Sequence, residues 1–278
     1  MASYKNRPVM EPTTELRRYI SLDALICILR DQQLRLTRVD RFSDPFEGSV
    51  PKRQIDDQVP IFSGANLMMM EQIASHYSGM ETPRRRDMWT EMSQRRRAMT
   101  RSIHASCWIA GPESEGMWRL YCEDGVRGRG VALRSTLGKI EASVAPHDLF
   151  VSPVTYRYYH EGPAFTDDMD PFMHKRLGFQ HEHEVRLLRY DQPHYVSLAL
   201  AIRGSDGSSP APVAPPELPD YVFLDWSSLD HTDAITISPY ADDIYEQRVR
   251  TAIASVEPAA AGRIELSVLS ERRYAAGF

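Results

Sequence analysis

The chain has 278 residues, 42% of them apolar, 26% charged and 9% aromatic, and its 33 Lys and Arg against 38 Asp and Glu leave a net charge of −5. That length accommodates a sizeable buried core, and the apolar share excludes wholesale disorder and fibrous architectures. The acidic balance excludes a chain coated in basic residues for nucleic acid, and no apolar run approaches the roughly 20 residues that cross a bilayer, so no membrane association is expected. The N-terminus has no apolar stretch of the secretory kind. Cys27, Cys107 and Cys122 are an odd number at no metal-type spacing, so a reduced, cytoplasmic setting is expected.

Residues 1–14 read as a flexible lead-in, and 15–278 as a single α+β domain. Leu16–Ile20 is a short first element. Ser21 then suits an N-cap before Leu22, Leu25, Ile26 and Leu29, which fall on one helical stripe. Leu34–Arg38 alternates like a strand. Phe42-Ser-Asp-Pro-Phe-Glu-Gly48 is a turn by composition. A helical insertion is expected over about 55–102, with Thr82 and Pro83 as a start signal and Met88, Trp89, Met92 and Met99 on its apolar side. Ile103–Trp108 reads as a strand, residues around Met117, Trp118 and Tyr121 as a short helix, and Val131–Leu133 and Val154–Tyr158 as strands. Pro171–Leu177 suits a helical turn or two. His181–Tyr190 reads as a strand with Tyr195–Ile202 as its hairpin or neighbour. Residues 203–220 hold five prolines and form a mobile loop. Tyr221–Trp226, Thr236–Ser238 and Ile264–Val268 supply further strands, with a helix carrying Tyr245, Val249, Ala252 and Ile253 between them. Strands not separated by regular helices point to an α+β fold with a mixed or antiparallel central sheet, rather than a doubly wound one.

The most informative stretch for chemistry is Phe179-Gln-His-Glu-His-Glu-Val-Arg-Leu-Leu188. On a strand, Glu182 and Glu184 would share one face about 7 Å apart. Two carboxylates in a cleft suit stabilising a positive charge that develops during reaction, such as an oxocarbenium ion at a ribose C1. The alternative is a solvated edge paired with Arg186 or Arg189. His181 and His183 would face the other way; no second cluster completes a ligand set, and no metal is expected. Arg95, Arg96 and Arg97, within a stretch whose seven Arg outnumber three acids over 81–101, are either a solvated helix face or a landing site for phosphate-bearing substrate. Trp108, Trp118 and Tyr121 are core residues or the walls of a flat-ring pocket.

Three segments in order, LRRYISLDALICILRDQQLRLTRVDRFSDPFEG, SCW…EGMWRLY…GVAL and FQHEHEVRLL, together resemble the domain-of-unknown-function family 2971. The opening Arg-Tyr…Asp-Pro-Phe-Glu and the later Glu-x-Glu-x-Arg are the most specific parts. A first-strand Arg, a Ser-containing middle strand and a late Glu-x-Glu are also similar to the pattern of ADP-ribosyltransferases. That resemblance implies an ADP-ribosyltransferase-like fold and NAD as substrate, with ADP-ribose passed to an unknown acceptor (protein, nucleic acid or small molecule), in the setting of a toxin or phage-defence effector. It implies Arg18 gripping the nicotinamide ribose or a phosphate, with Tyr19 and Trp108 beside the cofactor. Ser106 would buttress Glu184, Glu184 would stabilise the oxocarbenium ion, and Glu182 would orient or deprotonate the acceptor. Ala105-Ser106-Cys107 keeps one hydroxyl of the family's Ser-Thr-Ser, and Arg17 competes with Arg18. The rival readings are a non-catalytic nucleotide- or nucleic-acid-binding module and a metal-dependent nucleic-acid enzyme.

Overall fold

A computed structural model describes residues 7–51, 96–159, 165, 167, 169–203 and 216–270. They form a mixed α+β architecture around a nine-stranded, mostly antiparallel sheet, accompanied by a separate two-stranded one. The large sheet contains β1 (Glu15–Ile20), β2 (Gln33–Arg38), β3 (Ile103–Ala110), β4 (Val131–Thr136) and β5 (Leu149–Pro153). The parallel pair is β6 (Thr155–Arg157) with β7 (His174–Arg176), and β8 (Glu184–Tyr190), β9 (Tyr221–Asp225), β10 (Ala234–Ile237) and β11 (Ile264–Leu266) complete the large sheet.

β3 organises everything else. β8 pairs with it from Ile103↔Tyr190 to Ile109↔Glu184, filling one edge. The other edge is shared: β2 pairs at Thr37↔Ala105 and β1 at Arg17↔Ile109. The sheet therefore forks there, one arm running β1-β4-β10-β11 and the other β2-β9.

The two faces differ. Leu16, Trp108, Val185 and Leu187 alternate onto one face and pack with Leu25 and Leu29 of the helix Leu22–Asp31 and with Val249 and Ile253 of the helix Asp243–Val256. This is the main core, and removing its apolar surface from water is what chiefly drives folding. The first helix starts as its sequence dictates, with the Ser21 hydroxyl accepting from Ala24 N at 3.2 Å. The opposite face is covered in two separate patches. One is Tyr19, Ile109, Met117 and Trp118 beneath the helix Glu115–Tyr121; the other gathers Ala98, Met99, Ala105, Phe172, Leu188 and Tyr195. A strip between the patches carries a set of charged groups.

Several expectations are corrected. Tyr195–Ile202 is not a strand but part of the helix Gln192–Arg203. Its Leu and Ala residues are strong helix formers, and Asp191 caps it by accepting from His194 N at 3.0 Å. The strand expected over 181–190 begins only at Glu184, because Leu177–Glu182 is a 3-10 helix and His183 turns left-handed at φ 43°. Pro171–Leu177 is helical only through Met173 before β7 begins. Val154 separates two strands, of which β5 has no counterpart among the expected elements. The lead-in is tied down from Arg7 onward: Arg7 pairs with Glu141, and Gly138 N donates to Pro12 O at 2.8 Å. Thr82, Pro83, Met88, Trp89, Met92 and Arg95 lie outside the described residues, as does most of the 203–220 loop. The piece from 216 to 220 is held by His104 and His194, whose Nε2 atoms donate to Pro219 O and Pro216 O.

The Phe42–Gly48 turn forms as its composition dictates. The Asp44 carboxylate accepts from Phe46 N at 3.0 Å, and Gly48 closes the turn at φ +66°. A side chain at Gly48 would also place its Cβ 2.8 Å from Phe172 Cε1. Gly48→Ala combines left-handed strain with a clash in the second core patch, so a stability loss of about 1–3 kcal/mol is expected in denaturant titration.

Candidate functional site

The strip between the two patches contains a line of alternating charges. Glu184, the first residue of β8, is 3% exposed, and Arg186, two residues on and hence on the same face, is 0% exposed. The Arg186 guanidinium grips Glu184 with two of its nitrogens, Nε to Oε1 at 2.7 Å and Nη2 to Oε2 at 3.1 Å. It reaches Glu47 of the Asp-Pro-Phe-Glu turn in the same bidentate way, with Nη2 to Oε2 at 3.0 Å, and donates to Phe172 O at 2.7 Å. On the other side, Lys175 Nζ of β7 joins Glu184 at 3.2 Å to Glu182 at 2.5 Å. The order is Glu47–Arg186–Glu184–Lys175–Glu182, three acids and two bases.

The Asp-Pro-Phe-Glu turn and the Glu-x-Glu-x-Arg stretch, 139 positions apart between Glu47 and Arg186, thus meet at one guanidinium. The turn docks further through Asp44, which accepts from Arg176 Nη2 at 2.8 Å, and through Phe46, whose ring centroid lies 4.2 Å from the Arg176 guanidinium carbon. Glu182 and Glu184 do converge, though not by strand alternation; the left-handed His183 between them and Lys175 above them bring the two carboxylates together.

Burial alone would raise the Glu184 carboxyl, but the Arg186 and Lys175 charges outweigh it and hold Glu184 at about 2. The carboxylate is therefore ionised throughout the physiological range. Burial pushes the Cys107 thiol well up, with the Glu184 charge adding to it; the protonated thiol donates to Glu184. Burial also raises the hydroxyls of Tyr121, which meets Glu182, and of Tyr156, whose oxygen accepts from Glu184 N at 2.8 Å.

This depressed carboxyl makes stability pH-dependent. The unfolded chain takes up the proton first, near 4.5, while the folded chain resists until about 2. The stabilisation is present above 4.5 and lost as pH falls from there toward 2. It is on the order of 3 kcal/mol for this one group. Acid titration of stability is expected to show that loss in the wild type and a shallower one in Glu184→Gln.

The other sequence-derived candidates divide. Arg17, on the same face as Glu184, lies in one row with it through Ile109 (Arg17↔Ile109↔Glu184), pairs with Glu15 and donates to Gly111 O. Arg18 starts from the opposite face. Its side chain reaches into the fork, where Nη2 donates to Arg35 O at 3.2 Å and Nη1 is buried without a partner. Burial lowers it to about 10, and Cys107 and Arg35 lie within its electrostatic reach. Tyr19 shares the Glu184 face but is packed edge-on against Trp118, with ring centroids 4.8 Å apart, and burial raises its hydroxyl to about 12.

Ser106 and Trp108 are corrected. Both alternate onto the main-core face, Ser106 opposite Leu187 and Trp108 opposite Val185, so neither reaches Glu184. Trp108 packs against Trp226, and Ser106 Oγ is buried without a partner. Ser106→Ala removes an unsatisfied hydroxyl, so unchanged or slightly raised stability is expected by thermal melting.

Arg95 lies outside the described residues. Arg96, in the helical stretch 96–101, donates Nη2 to Ser49 Oγ at 2.8 Å and to Glu47 O at 3.3 Å. Arg96 and exposed Arg97 line a cavity of about 410 Å³ together with Phe42, Asp44 and Glu47. Sequence reasoning missed Glu47, Cys107, Tyr156 and Lys175. Glu47 was visible as part of the Asp-Pro-Phe-Glu turn but was given no role in the site, and Lys175 lay within a segment read as helical.

Among the described residues, no group of three or more His, Cys, Asp or Glu is arranged to hold a metal ion, and no helix is long and apolar enough to cross a membrane. Comparison of the chain with protein-family models, with curated proteins and with solved structures finds no match.

Proposed function

We propose that the protein is an NAD-using ADP-ribosyltransferase-like enzyme whose charge-stabilising acid is Glu184. The observation that carries this reading is the buried Glu184 carboxylate, held ionised down to about 2 beside a second carboxylate at Glu182. In the reaction, the bond between the ribose C1 and the nicotinamide nitrogen breaks and its electron pair leaves with nicotinamide. The pyridinium charge passes to the sugar as an oxocarbenium ion. A fixed anion beneath C1 stabilises that ion more than it stabilises the bound substrate, and preorganised charge of this kind commonly lowers a barrier more than any other single effect. The acceptor then bonds to C1 and its proton leaves to Glu182. Arg17, rather than Arg18, shares the Glu184 face and suits the diphosphate or ribose. The test is NAD labelled in the nicotinamide ring, incubated with candidate acceptors: label is released at a rate insensitive to chelator. No release with any acceptor overturns the reading.

One observation favours a second reading, a nucleotide-binding module without turnover. Both Glu184 oxygens already engage Arg186 and Lys175. Under that reading NAD raises the thermal midpoint, as any ligand selective for the native state must, while no nicotinamide appears.

A further inference from the structure

The edge arm β2-β9 carries a feature that the Glu184 chemistry does not use. Tyr221 and Phe223 alternate onto one face of β9 and stand 45% and 56% exposed. Large aromatics left this exposed on an edge strand gain little from folding. Arg35 of β2 lies directly opposite Phe223 in the pairing, and its guanidinium carbon sits 4.7 Å from the Tyr221 ring centroid. The three side chains form a flat, exposed patch of two rings and a cation.

Register connects this patch to the charged strip. Tyr221 pairs with Thr37, Thr37 with Ala105 and Ala105 with Leu188, so one row crosses β9, β2, β3 and β8 on a single face. Alternation places Phe223, Arg35, Cys107 and Arg186 on that same face. Phe223 and Arg35 thus face the same side of the sheet as Arg186, across the fork. At the fork, Arg18 Nη1 is buried with no hydrogen-bond partner among the described residues, in electrostatic reach of Arg35 and Cys107. Among the described residues neither guanidinium has a carboxylate beside it, and the exposed one, Arg35, is open to an anion from solution.

We infer that the Arg35–Tyr221–Phe223 patch is a binding subsite for a nucleoside phosphate, its base stacked on the Phe223 and Tyr221 rings and its phosphate held by Arg35. Ring stacking tolerates any base and contributes about 1–3 kcal/mol, while a guanidinium matches phosphate oxygens in pairs. The subsite deepens the NAD reading, on which it rests for its place in the reaction, by supplying a seat for the half of the dinucleotide that does not react, yet it is testable without turnover.

The experiment is calorimetric titration of the full chain with ADP, with tripolyphosphate as a second arm. Wild type binds ADP, and Phe223→Ala and Arg35→Ala each weaken it about tenfold or more. Tripolyphosphate binding falls in Arg35→Ala and is unchanged in Phe223→Ala. Unchanged thermal midpoints without ligand verify that both variants fold. The inference is overturned by wild type that binds no ADP, by ADP affinity unaffected in both variants, or by tripolyphosphate binding as tightly as ADP. ADP binding lost in these variants without any nicotinamide release removes the transferase reading and keeps the subsite; release without ADP binding does the reverse.

Discussion

Arg186→Met is expected to lower the stability of the fold by about 3–5 kcal/mol, the range for removing one partner of a buried ion pair. Methionine fills much of the volume, so the loss is electrostatic rather than a cavity effect. Glu184 keeps Lys175, but Glu47 loses the one carboxylate ion pair it makes among the described residues and stays buried. The Asp-Pro-Phe-Glu turn then loses the guanidinium that anchors it to β8. A loss of this size is a large share of an ordinary domain's stability and corresponds to roughly 10 °C or more in thermal midpoint. Denaturant titration measures it directly. Adding Glu47→Gln to Arg186→Met removes the stranded charge and is expected to recover at least about 1 kcal/mol, a coupling typical of contacting residues. A single-variant loss below about 1 kcal/mol, or no recovery in the double variant, would show that the line of charges is not what fixes the turn.

Glu184→Gln is expected to reduce nicotinamide release by about 100- to 1000-fold in kcat with little change in KM for NAD, the size of effect seen when one preorganised electrostatic group is lost. Glutamine keeps the length and can still accept from Arg186 and Cys107, but it carries no charge to set against an oxocarbenium ion. An interaction made only in the transition state shows in kcat. Glu182→Gln separates the two acids. Release to water continues while transfer to the acceptor falls, because Glu182 acts on the nucleophile and not on the departing base. Equal release by wild type and Glu184→Gln takes Glu184 out of the chemistry.

Much of the scaffold was legible in the sequence because local rules decide it. Ser21 capping the helix from Leu22, the alternation of Leu34 and Leu36, the Asp44-to-Gly48 turn and the stripe Tyr245, Val249 and Ile253 each follow from neighbours a few residues away. The α+β class and the mostly antiparallel sheet followed from strands that regular helices do not separate. Tyr195–Ile202 was misread because Val196, Leu198, Leu200 and Ile202 alternate as in a strand, while the same stretch is helical once Asp191 caps it. The site itself was half legible. Glu182 and Glu184 stand out by spacing, yet their neighbours Glu47, Lys175 and Tyr156 arrive through register and turns, which composition does not encode. Ser106 and Trp108 failed for a related reason. A resemblance names residue types on a strand, but only the pairing of β3 with β8 decides which face they occupy, and it turns both toward the core.

A crystal structure of the chain with an unreactive NAD analogue measures the central claim most directly. The expected result is a Glu184 carboxylate oxygen at about 3–4 Å from the ribose C1, the spacing of groups poised to react, with Arg186 still gripping its other oxygen. An analogue bound elsewhere, with Glu184 closed off by Arg186 and Lys175 and touching no sugar atom, would contradict it.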